Sequence, residues 1–417
     1  MTTSGEAPHN ESGHQPLSGI RVLDLSRVLS GPHCGRLLAD LGAEVIKVEP
    51  PEGDMTRFGF PRRNGLSTYF MQQNCGKLNL SLDMKHPDAL PILWELVDRS
   101  DILLENFRPG VMDRIGLPWS ALTARNPRLI QGSITGYGQT GPWRHRRAYA
   151  PVVGAESGLT YMQGMARGGR FANDPMSHGD LYSGISTLAG ILAALYARER
   201  TGRGQWVEVS MVEALLSAND NIQWDLASDE IDSSNDIPSF RPGDLPVLHT
   251  RNGQTVVVGG HPAALGNFRS YMQVCGRTDL LDDPTLATVK QRRERLPDIV
   301  AVLQEWASTV ADADTLEAEF YEVNIAVGVL RSVAELAKTP WVEARNAIVE
   351  IDDRSGGTLK VPNSPWHFSD NTSGVVGIPK YRGEDNRAIL RDLLGMDDAR
   401  IDELERTNVL SSRGPSH

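Results

Sequence analysis

The chain has 417 residues and a formal net charge of −11, from 53 acidic and 42 basic residues. Its hydrophobic fraction of 40% and charged fraction of 23% are typical of a globular protein and exclude a low-complexity or fibrous chain. The acidic balance argues against nucleic acid or an anionic membrane surface as a partner, although a local group of arginines can still bind a small anion.

The cysteines and the N-terminal residues indicate the cellular compartment in which the protein is expected. Cys34, Cys75 and Cys275 are widely spaced without a Cys-x-x-Cys pair, which disfavours disulfides and structural zinc, and the ten scattered histidines suggest no metal site. Residues 1–15 are polar and are predicted to be a disordered tail rather than a signal peptide. No apolar stretch reaches the ~18 residues of a membrane span. We therefore expect a cytoplasmic protein with no metal, membrane or nucleic-acid partner.

Strands and helices alternate along the first half of the chain. Five short apolar runs are predicted strands: Ile20–Leu25, Val45–Val48, Leu78–Leu82, Ile102–Leu104 and Leu129–Ile134. Apolar residues at helical spacing predict helices over Arg36–Leu41 and Asp88–Asp98. This alternation indicates a mostly parallel sheet with helices on both faces, and the predicted fold class is α/β.

The longest helical pattern begins near Asp180 and is stopped by Gly202 and Gly204. A strand over Trp206–Val209 and a helix over Val212–Leu216 are predicted to follow. From about residue 219 to residue 246 the chain is polar and rich in Pro, Ser and Asp, which indicates a domain junction.

A smaller α+β domain is predicted after the junction. Asn252-Gly253 between two apolar runs, Val247–Thr250 and Thr255–Val258, is a strong hairpin signal. Four further elements are predicted, three helices and a buried strand: Leu265–Cys275, Leu296–Val310, Asp312–Tyr321 and Ile325–Leu330. From about Pro340 strands and a terminal helix return. The predicted division is a large domain over 16–222, a small domain over 223–339 and a return to the large domain over 340–417.

One glycine-rich motif imitates a dinucleotide site. Gly136-Tyr137-Gly138-Gln139-Thr140-Gly141 matches Gly-x-Gly-x-x-Gly after a predicted strand. In that fingerprint the glycines open a helix that receives a pyrophosphate, whereas Pro142, Trp143 and a basic run follow here without amphipathic spacing. A tight glycine turn is therefore favoured over NAD binding.

Basic residues gather where ligands bind in open α/β sheets, beyond the carboxyl ends of strands. These are Arg108, Arg114, Arg144, Arg146 and Arg147. Guanidinium groups bind phosphates bidentately, so they suit a phosphorylated ligand; a solvated basic rim is the alternative.

Asp180 stands at the start of the longest helix, where an aspartate is most often an N-cap. The helix dipole and nearby N–H groups at that position would also keep a carboxylate ionised and stabilise an oxyanion beside it, as a nucleophile requires. His178, two residues earlier, is interpreted as a solvent or packing residue rather than a metal ligand.

Several motifs taken together give the sequence a close resemblance to a known family. They are Pro16–Leu25, Ser30–Pro32, Leu41–Pro50, Gly53-Asp54, Asn79–Met84, Glu105–Gly110, Gly136–Pro142, Gly179-Asp180 and Glu199–Gln205. In these segments the chain resembles the class III coenzyme A transferases, which include formyl-CoA:oxalate transferase, carnitine-CoA transferase and the 2-methylacyl-CoA racemases. The second half matches only in general layout.

The resemblance implies roles for individual residues. Asp180 takes the position of the nucleophilic aspartate, and Tyr69 and Tyr149 take positions near the acyl group. The positions that contact coenzyme A (CoA) are Val28, Leu29, Ser30, Leu82, Lys85, Asn106, Phe107, Arg108, Arg114 and Arg147. Gly259-Gly260, after the predicted hairpin, is our candidate for a flap over the intermediates, with a plain turn as the alternative.

The family also implies partners and architecture. It predicts a Rossmann-like large domain in an interlocked homodimer, with an acyl-CoA and a carboxylic acid as substrates and no cofactor beyond CoA itself. Pro50 stands where some members have an arginine for the nucleotide phosphate, and Ala150 stands where formyl-CoA transferase has a glutamate.

Members of the family catalyse more than one type of reaction, and residues after the Gly136–Pro142 motif favour one of them. The racemases place a His-Asp pair where this chain has Tyr149-Ala150, so proton transfer on one face of the α-carbon would lack its base. Intermolecular CoA transfer is therefore favoured. A 2-methylacyl-CoA epimerase, an intramolecular CoA transferase and a non-catalytic acyl-CoA binder are the alternatives.

Overall fold

A computed structural model describes residues 14–226 and 245–413. They form two compact units, one made of the described residues up to Ile222 with those from Trp341 onwards, the other Gln223–Pro340. Most of the predicted tail over 1–15 and of the predicted junction over 219–246 lies outside the described residues.

The strands, in chain order, are β1 Arg21–Asp24, β2 Glu44–Glu49, β3 Arg62–Arg63, β4 Leu66–Ser67, β5 Leu78–Ser81, β6 Ile102–Glu105, β7 Ile130–Thr135, β8 Trp206–Ser210, β9 Val247–His249, β10 Thr255–Val258, β11 Val327–Val329, β12 Ile348–Asp352 and β13 Thr358–Pro362. The α-helices are α1 Ser30–Asp40, α2 Thr68–Asn74, α3 Ala89–Asp98, α4 Val111–Arg114, α5 Trp119–Arg125, α6 Ala150–Glu156, α7 Leu159–Ala166, α8 His178–Thr201, α9 Met211–Ser217, α10 Gln223–Leu226, α11 Leu265–Val274, α12 Val289–Glu294, α13 Leu296–Ala307, α14 Ala313–Tyr321, α15 Val333–Leu336, α16 Pro340–Arg345, α17 Asn386–Ala388 and α18 Asp398–Arg406.

A six-stranded parallel sheet is the centre of the first unit, in the order β5-β2-β1-β6-β7-β8. Val22 in β1 pairs with Val45 on one side and with Ile102 on the other. Parallel neighbours joined by helices require both faces to be covered. The predicted α/β class with a parallel sheet is confirmed, and small antiparallel sheets accompany it.

Successive side chains of β1 enter two separate cores. Val22 packs into a cluster with the apolar faces of α1 and α8, and Leu23 packs into a cluster with α3 and α18. This is the period-two alternation of a strand buried on both faces. Burial of each large apolar side chain contributes about 1.5–3 kcal/mol, so the two layers hold the sheet and its strand ends in place.

Helix α8 is the longest helix among the described residues, and by length and hydropathy alone it meets the criterion for a membrane span. Its inner face, however, puts Leu188, Ile191 and Ala194 into the core beside the sheet. Gly202, with φ +71°, ends the helix as predicted, because a glycine adopts this left-handed conformation without strain. These contacts are those of a core helix.

The second unit contains the predicted hairpin. Strands β9 and β10 pair antiparallel, and Gly253 turns the chain with φ +86°. The prediction of a buried strand over Ile325–Leu330 is wrong in extent and burial, because only β11 forms and it lies at the sheet edge, followed by a 68% exposed Leu330. An apolar run alone does not distinguish an edge from a centre.

Candidate active site

A cleft of about 850 Å³ lies beyond the carboxyl ends of β1, β6 and β7. Open parallel sheets bind their ligands at this edge. The cleft brings together eight of the residues predicted from sequence: Val28, Ser30, Asn106, Phe107, Arg108, Arg147, Tyr149 and Asp180.

Asp180 belongs to the first turn of α8. The helix begins at His178 with Ser177 as its N-cap residue, so the N-cap interpretation of Asp180 is wrong. The N–H and the hydroxyl of Ser30, the first residue of α1, lie close enough to the Asp180 carboxylate to lower its pKa. The N-termini of two helices therefore meet at this carboxylate, and both dipoles favour negative charge there.

Burial has the larger effect on the acidity of this group. Desolvation raises the pKa of Asp180 to about 6, and the N–H and hydroxyl of Ser30, with the N–H of Asp180 itself, oppose that rise only in part. The expectation that the helix start would simply keep Asp180 ionised is thus modified. The carboxylate is ionised above about pH 6 and is poorly solvated, a state suited to attack on a carbonyl.

Two glycines allow α1 to approach its neighbours closely. A Cβ on Gly184 of α8 would lie 2.7 Å from the carbonyl oxygen of Ser30, and a Cβ on Gly31 would lie 2.1 Å from the Cβ of Ser26. Heavy atoms cannot pack at these distances. Glycine at both positions is therefore what brings Ser30 to Asp180.

The loop between β1 and α1 holds an unusual backbone conformation. Val28 has φ +67°, which is rare for a β-branched residue, and its N–H donates to Asp54 Oδ2 at 3.1 Å. Lys47 Nζ lies 3.2 Å from the same oxygen and donates to the Ser26 carbonyl at 2.8 Å. Burial alone would raise the pKa of Asp54, but Lys47 and the donors of Thr56 lower it to about 2, so this carboxylate stays ionised.

Asn106 holds the same loop from the other side. Its Oδ1 accepts from the Arg27 N–H at 2.8 Å, and its Nδ2 donates to the Arg27 carbonyl at 2.7 Å and to Ser30 Oγ at 3.0 Å. The amide therefore connects the end of β6 to Ser30, and through Ser30 to Asp180. These contacts explain the asparagine without a bound ligand.

Four guanidinium groups of the cleft, those of Arg27, Arg108, Arg144 and Arg147, make no ion pair with any residue that the structure describes. Arg146 differs, since it pairs with Glu156 at 3.1 Å. Unpaired arginines around one cleft favour an anionic ligand over a solvated rim.

Four predicted CoA contacts lie outside this cleft. Leu29 and Leu82 are buried, and Lys85 and Arg114 are exposed on turns or helices away from its lining. Tyr69 is close enough to Asp180 to sense its charge, because burial and then the Asp180 carboxylate raise the pKa of Tyr69 to about 12.

Gly259 and Gly260 follow β10 in the second unit. The buried Tyr271 hydroxyl lies within hydrogen-bond distance of both carbonyl oxygens, at 3.1 and 2.7 Å, and Gly260 has φ +97°. The segment is thus an anchored turn, and its use as a flap stays a prediction.

Sequence reasoning missed three residues that build the site. Arg27 precedes a predicted contact directly, and its position after a strand end was a usable signal. Asp54 and Lys47 lie within the family motifs but received no role, because only the fold shows that they meet.

His178 stacks on Tyr182 with ring centroids 5.5 Å apart and pairs with Asp174, consistent with a packing residue. The described residues contain no group of three or more His, Cys, Asp or Glu side chains arranged to hold a metal ion.

Comparisons with known proteins place this geometry in a family. A family model for CoA-transferase family III matches residues 17–386. The chain is 31% identical over 400 residues to the succinyl-CoA–L-malate CoA-transferase beta subunit of Chloroflexus aurantiacus, covering 95% of this chain and 98% of that one. It is 33% identical over 413 residues to the formyl-CoA:oxalate CoA-transferase of Streptomyces coelicolor, covering 94% and 99%.

Solved structures agree. A CaiB/BaiF family protein from Brucella suis superposes with a TM-score of 0.78 at 28% identity, covering 91% of this chain and 99% of that one. A protein from Mycobacterium tuberculosis gives 0.77 at 28% identity, covering 90% and 99%. The family match spans the sheet, the arginine-lined cleft and Asp180 alike. The chain therefore belongs to CoA-transferase family III and is an enzyme that transfers coenzyme A.

Proposed function

We propose that Asp180 is the nucleophile that moves CoA from an acyl-CoA donor to a carboxylic acid acceptor. The observation that carries this proposal is the partly buried Asp180 carboxylate, with the N–H and hydroxyl of Ser30 beside it, in a cleft lined by arginines that make no ion pair in the described structure. The arginines suit the phosphates of CoA, and the carboxylate suits attack on its thioester.

The first half-reaction has two steps. An Asp180 oxygen attacks the thioester carbonyl, the C–S bond breaks, and CoA leaves as a thiolate from a mixed anhydride. The thiolate then attacks the aspartyl carbonyl, the anhydride C–O bond breaks, and the donor acid leaves as a carboxylate. The product is an Asp180–CoA thioester, so the thioester bond is conserved.

The second half-reaction reverses these steps with another acid. The acceptor carboxylate attacks the aspartyl thioester and releases the thiolate, which attacks the acceptor carbonyl of the new anhydride. Asp180 is regenerated as a carboxylate. Protons balance without water, so exclusion of water prevents loss of the intermediates by hydrolysis.

Ser30 has a definite role in this scheme. Its N–H and hydroxyl orient the Asp180 carboxylate before attack, and after attack they are placed to stabilise negative charge that develops on the aspartyl oxygen. Because α1 and α8 fix both residues, little reorganisation is needed in either step.

The substrates and the assembly are also proposed. The relatives' names include succinyl-CoA, formyl-CoA, malate and oxalate, so small polar acids are the first candidates for this chain. We place the enzyme in the cytoplasm as a homodimer with interlocked chains, without a metal or further cofactor. The exposed Tyr182, Ile185 and Tyr196 of α8 give an apolar row that a second subunit would cover.

The experiment is mass spectrometry of the purified enzyme after incubation with succinyl-, formyl- and acetyl-CoA. We expect a CoA-sized adduct on the peptide that contains Asp180, and its loss when malate or oxalate is added. Asp180→Asn should bind CoA but form no adduct. A wild-type enzyme that forms no adduct and instead incorporates solvent deuterium at the α-carbon of a 2-methylacyl-CoA would overturn the proposal in favour of an epimerase.

A further inference from the structure

A second cleft of about 550 Å³ lies in the same unit as the Asp180 cleft. Guanidinium groups dominate its lining, together with one carboxylate: Arg57, Arg62, Arg382, Arg413 and Glu52. An adjoining cleft shares Arg382 and Arg413 with it. Neither arginine takes part in the chemistry described above.

The charges of this cleft are not balanced. Arg57 is neutralised by Glu49, with Nη2 to Oε1 at 2.7 Å and Nε to Oε2 at 2.8 Å. Arg382 and Arg413 make no ion pair within the described part of the chain, and Arg382 Nε is buried without a hydrogen-bond partner. Burial lowers the pKa of Arg382 most, the charge of Arg57 and then that of Arg413 lower it further, and the carboxylates of Glu49 and Glu52 oppose this shift only in part.

The two arginines are held in place by backbone contacts. The Arg413 N–H donates to the Arg382 carbonyl at 2.9 Å, and the Arg382 guanidinium donates to the carbonyl of Pro51. The hydroxyls of Ser411 and Ser81 lie 2.8 Å apart, which fixes the chain terminal segment against the end of β5. The Arg382 guanidinium and the backbone of Arg413 are therefore held in place, which lowers the entropy cost of binding an anion there.

The position of this cleft indicates its ligand. Pro51 and Ser81 lie at the carboxyl ends of β2 and β5, while the Asp180 cleft lies at those of β1, β6 and β7. Both clefts thus face the same edge of one sheet, and the five strands concerned span roughly 20 Å at ~4.8 Å per strand. An extended CoA molecule can cross that distance, with its thiol near Asp180 and its nucleotide at β2 and β5.

We infer that Arg382 and Arg413 bind a phosphate group of the nucleotide end of coenzyme A. This inference rests on the proposed function, because it uses the same substrate and the same sheet edge. Paired guanidinium groups match the charge and planar hydrogen-bonding geometry of a phosphate better than those of any neutral group. Their role is to anchor the nucleotide while the thioester end changes partners at Asp180.

The test is calorimetric titration of the full-length protein and of Arg413→Gln, whose side chain has no hydrogen bond in the described structure. Ligands are CoA, 3′-dephospho-CoA, 4′-phosphopantetheine and inorganic phosphate. We expect Arg413→Gln to weaken CoA binding about 10-fold and phosphopantetheine binding less than 2-fold, since a charge-assisted hydrogen bond to the nucleotide is lost. Arg382→Gln should do the same, and Arg391→Gln, paired with Asp398 on the surface, should change neither.

The remaining outcomes are also decisive. If the arginine variants lose affinity equally for CoA and for phosphopantetheine, or lose none for either, the inference is overturned. The proposed function stays intact in that case, provided that the wild-type protein binds CoA. Arginine-dependent binding of inorganic phosphate with unchanged CoA affinity would assign the cleft to a free anion and reject the nucleotide. A wild-type protein that binds no CoA would reject the proposed function together with the inference.

Discussion

The N–H of Val28 donates to a carboxylate oxygen of Asp54 across 3.1 Å, and this contact holds a β-branched residue at φ +67°. Such a conformation costs about 1–3 kcal/mol and persists only where surrounding contacts determine it. Asp54 is itself fixed by Lys47, which is as fully buried as its partner. The strained loop leads directly into Ser30, so the buried ion pair of Lys47 with Asp54 holds the segment that places Ser30 beside Asp180.

Asp54→Asn should therefore lower the free energy of unfolding by about 3 kcal/mol, because it leaves the Lys47 charge without its nearest partner. We also expect a fall in kcat, since Ser30 is no longer held against Asp180. Chemical denaturation and steady-state kinetics measure the two effects. Asp113→Asn on the surface of α4 is the control and should stay within about 0.5 kcal/mol of wild type. Equal stability of the two variants would refute the support role of Asp54.

Ser30→Ala tests the hydroxyl that reaches Asp180. The hydroxyl lowers the pKa of Asp180 against the larger effect of burial, so its loss should move the acidic limb of the pH–rate profile above about pH 6. Loss of one donor to a carboxylate raises its pKa by about one unit. We therefore expect the loss of kcat relative to wild type to be about 5-fold larger at pH 6 than at pH 8.

Ser183→Ala is the matched control for this prediction. The Ser183 hydroxyl donates to the backbone carbonyl of Asp180 at 3.0 Å rather than to its carboxylate. Its removal should leave the acidic limb in place. If both serine variants shift the limb equally, the effect is a general disturbance of α8 and not the loss of a donor to the Asp180 carboxylate.

Asp180 also makes stability depend on pH. Its pKa is raised from 3.8 to about 6 on folding, so ionisation in the buried site destabilises the folded state fully above pH 6 and not at all well below pH 3.8. Asp180→Asn removes this cost. We expect the variant to gain roughly 1 kcal/mol more at pH 8 than at pH 5, measured by denaturant unfolding at both values. A gain that is the same at both pH values would show that Asp180 titrates normally.

The sequence predicted the architecture better than it predicted the contacts. The alternation of strands and helices predicted the parallel sheet, because hydrophobic periodicity indicates which faces are buried. Asn252-Gly253 predicted the hairpin, because this dipeptide favours a tight turn. The N-cap interpretation of Asp180 was wrong because the first helical residue depends on backbone geometry two residues earlier. The ion pair of Lys47 with Asp54 could not be predicted from sequence, because the two residues meet only after the chain between them folds.

Gly184 limits how closely α1 and α8 pack. An alanine there would place its Cβ 2.7 Å from the Ser30 carbonyl oxygen, a backbone atom that cannot rotate away. The helices must separate, so Gly184→Ala should lower the free energy of unfolding by about 1–3 kcal/mol and reduce kcat, as Ser30 withdraws from Asp180. Gly266→Ala is the control, since nothing lies within 4 Å of its Cβ and alanine favours helix α11 by up to about 1 kcal/mol. Thermal unfolding and kinetics of both variants measure the contrast, and a Gly184→Ala enzyme as active and stable as Gly266→Ala would show that the helix contact does not position Ser30.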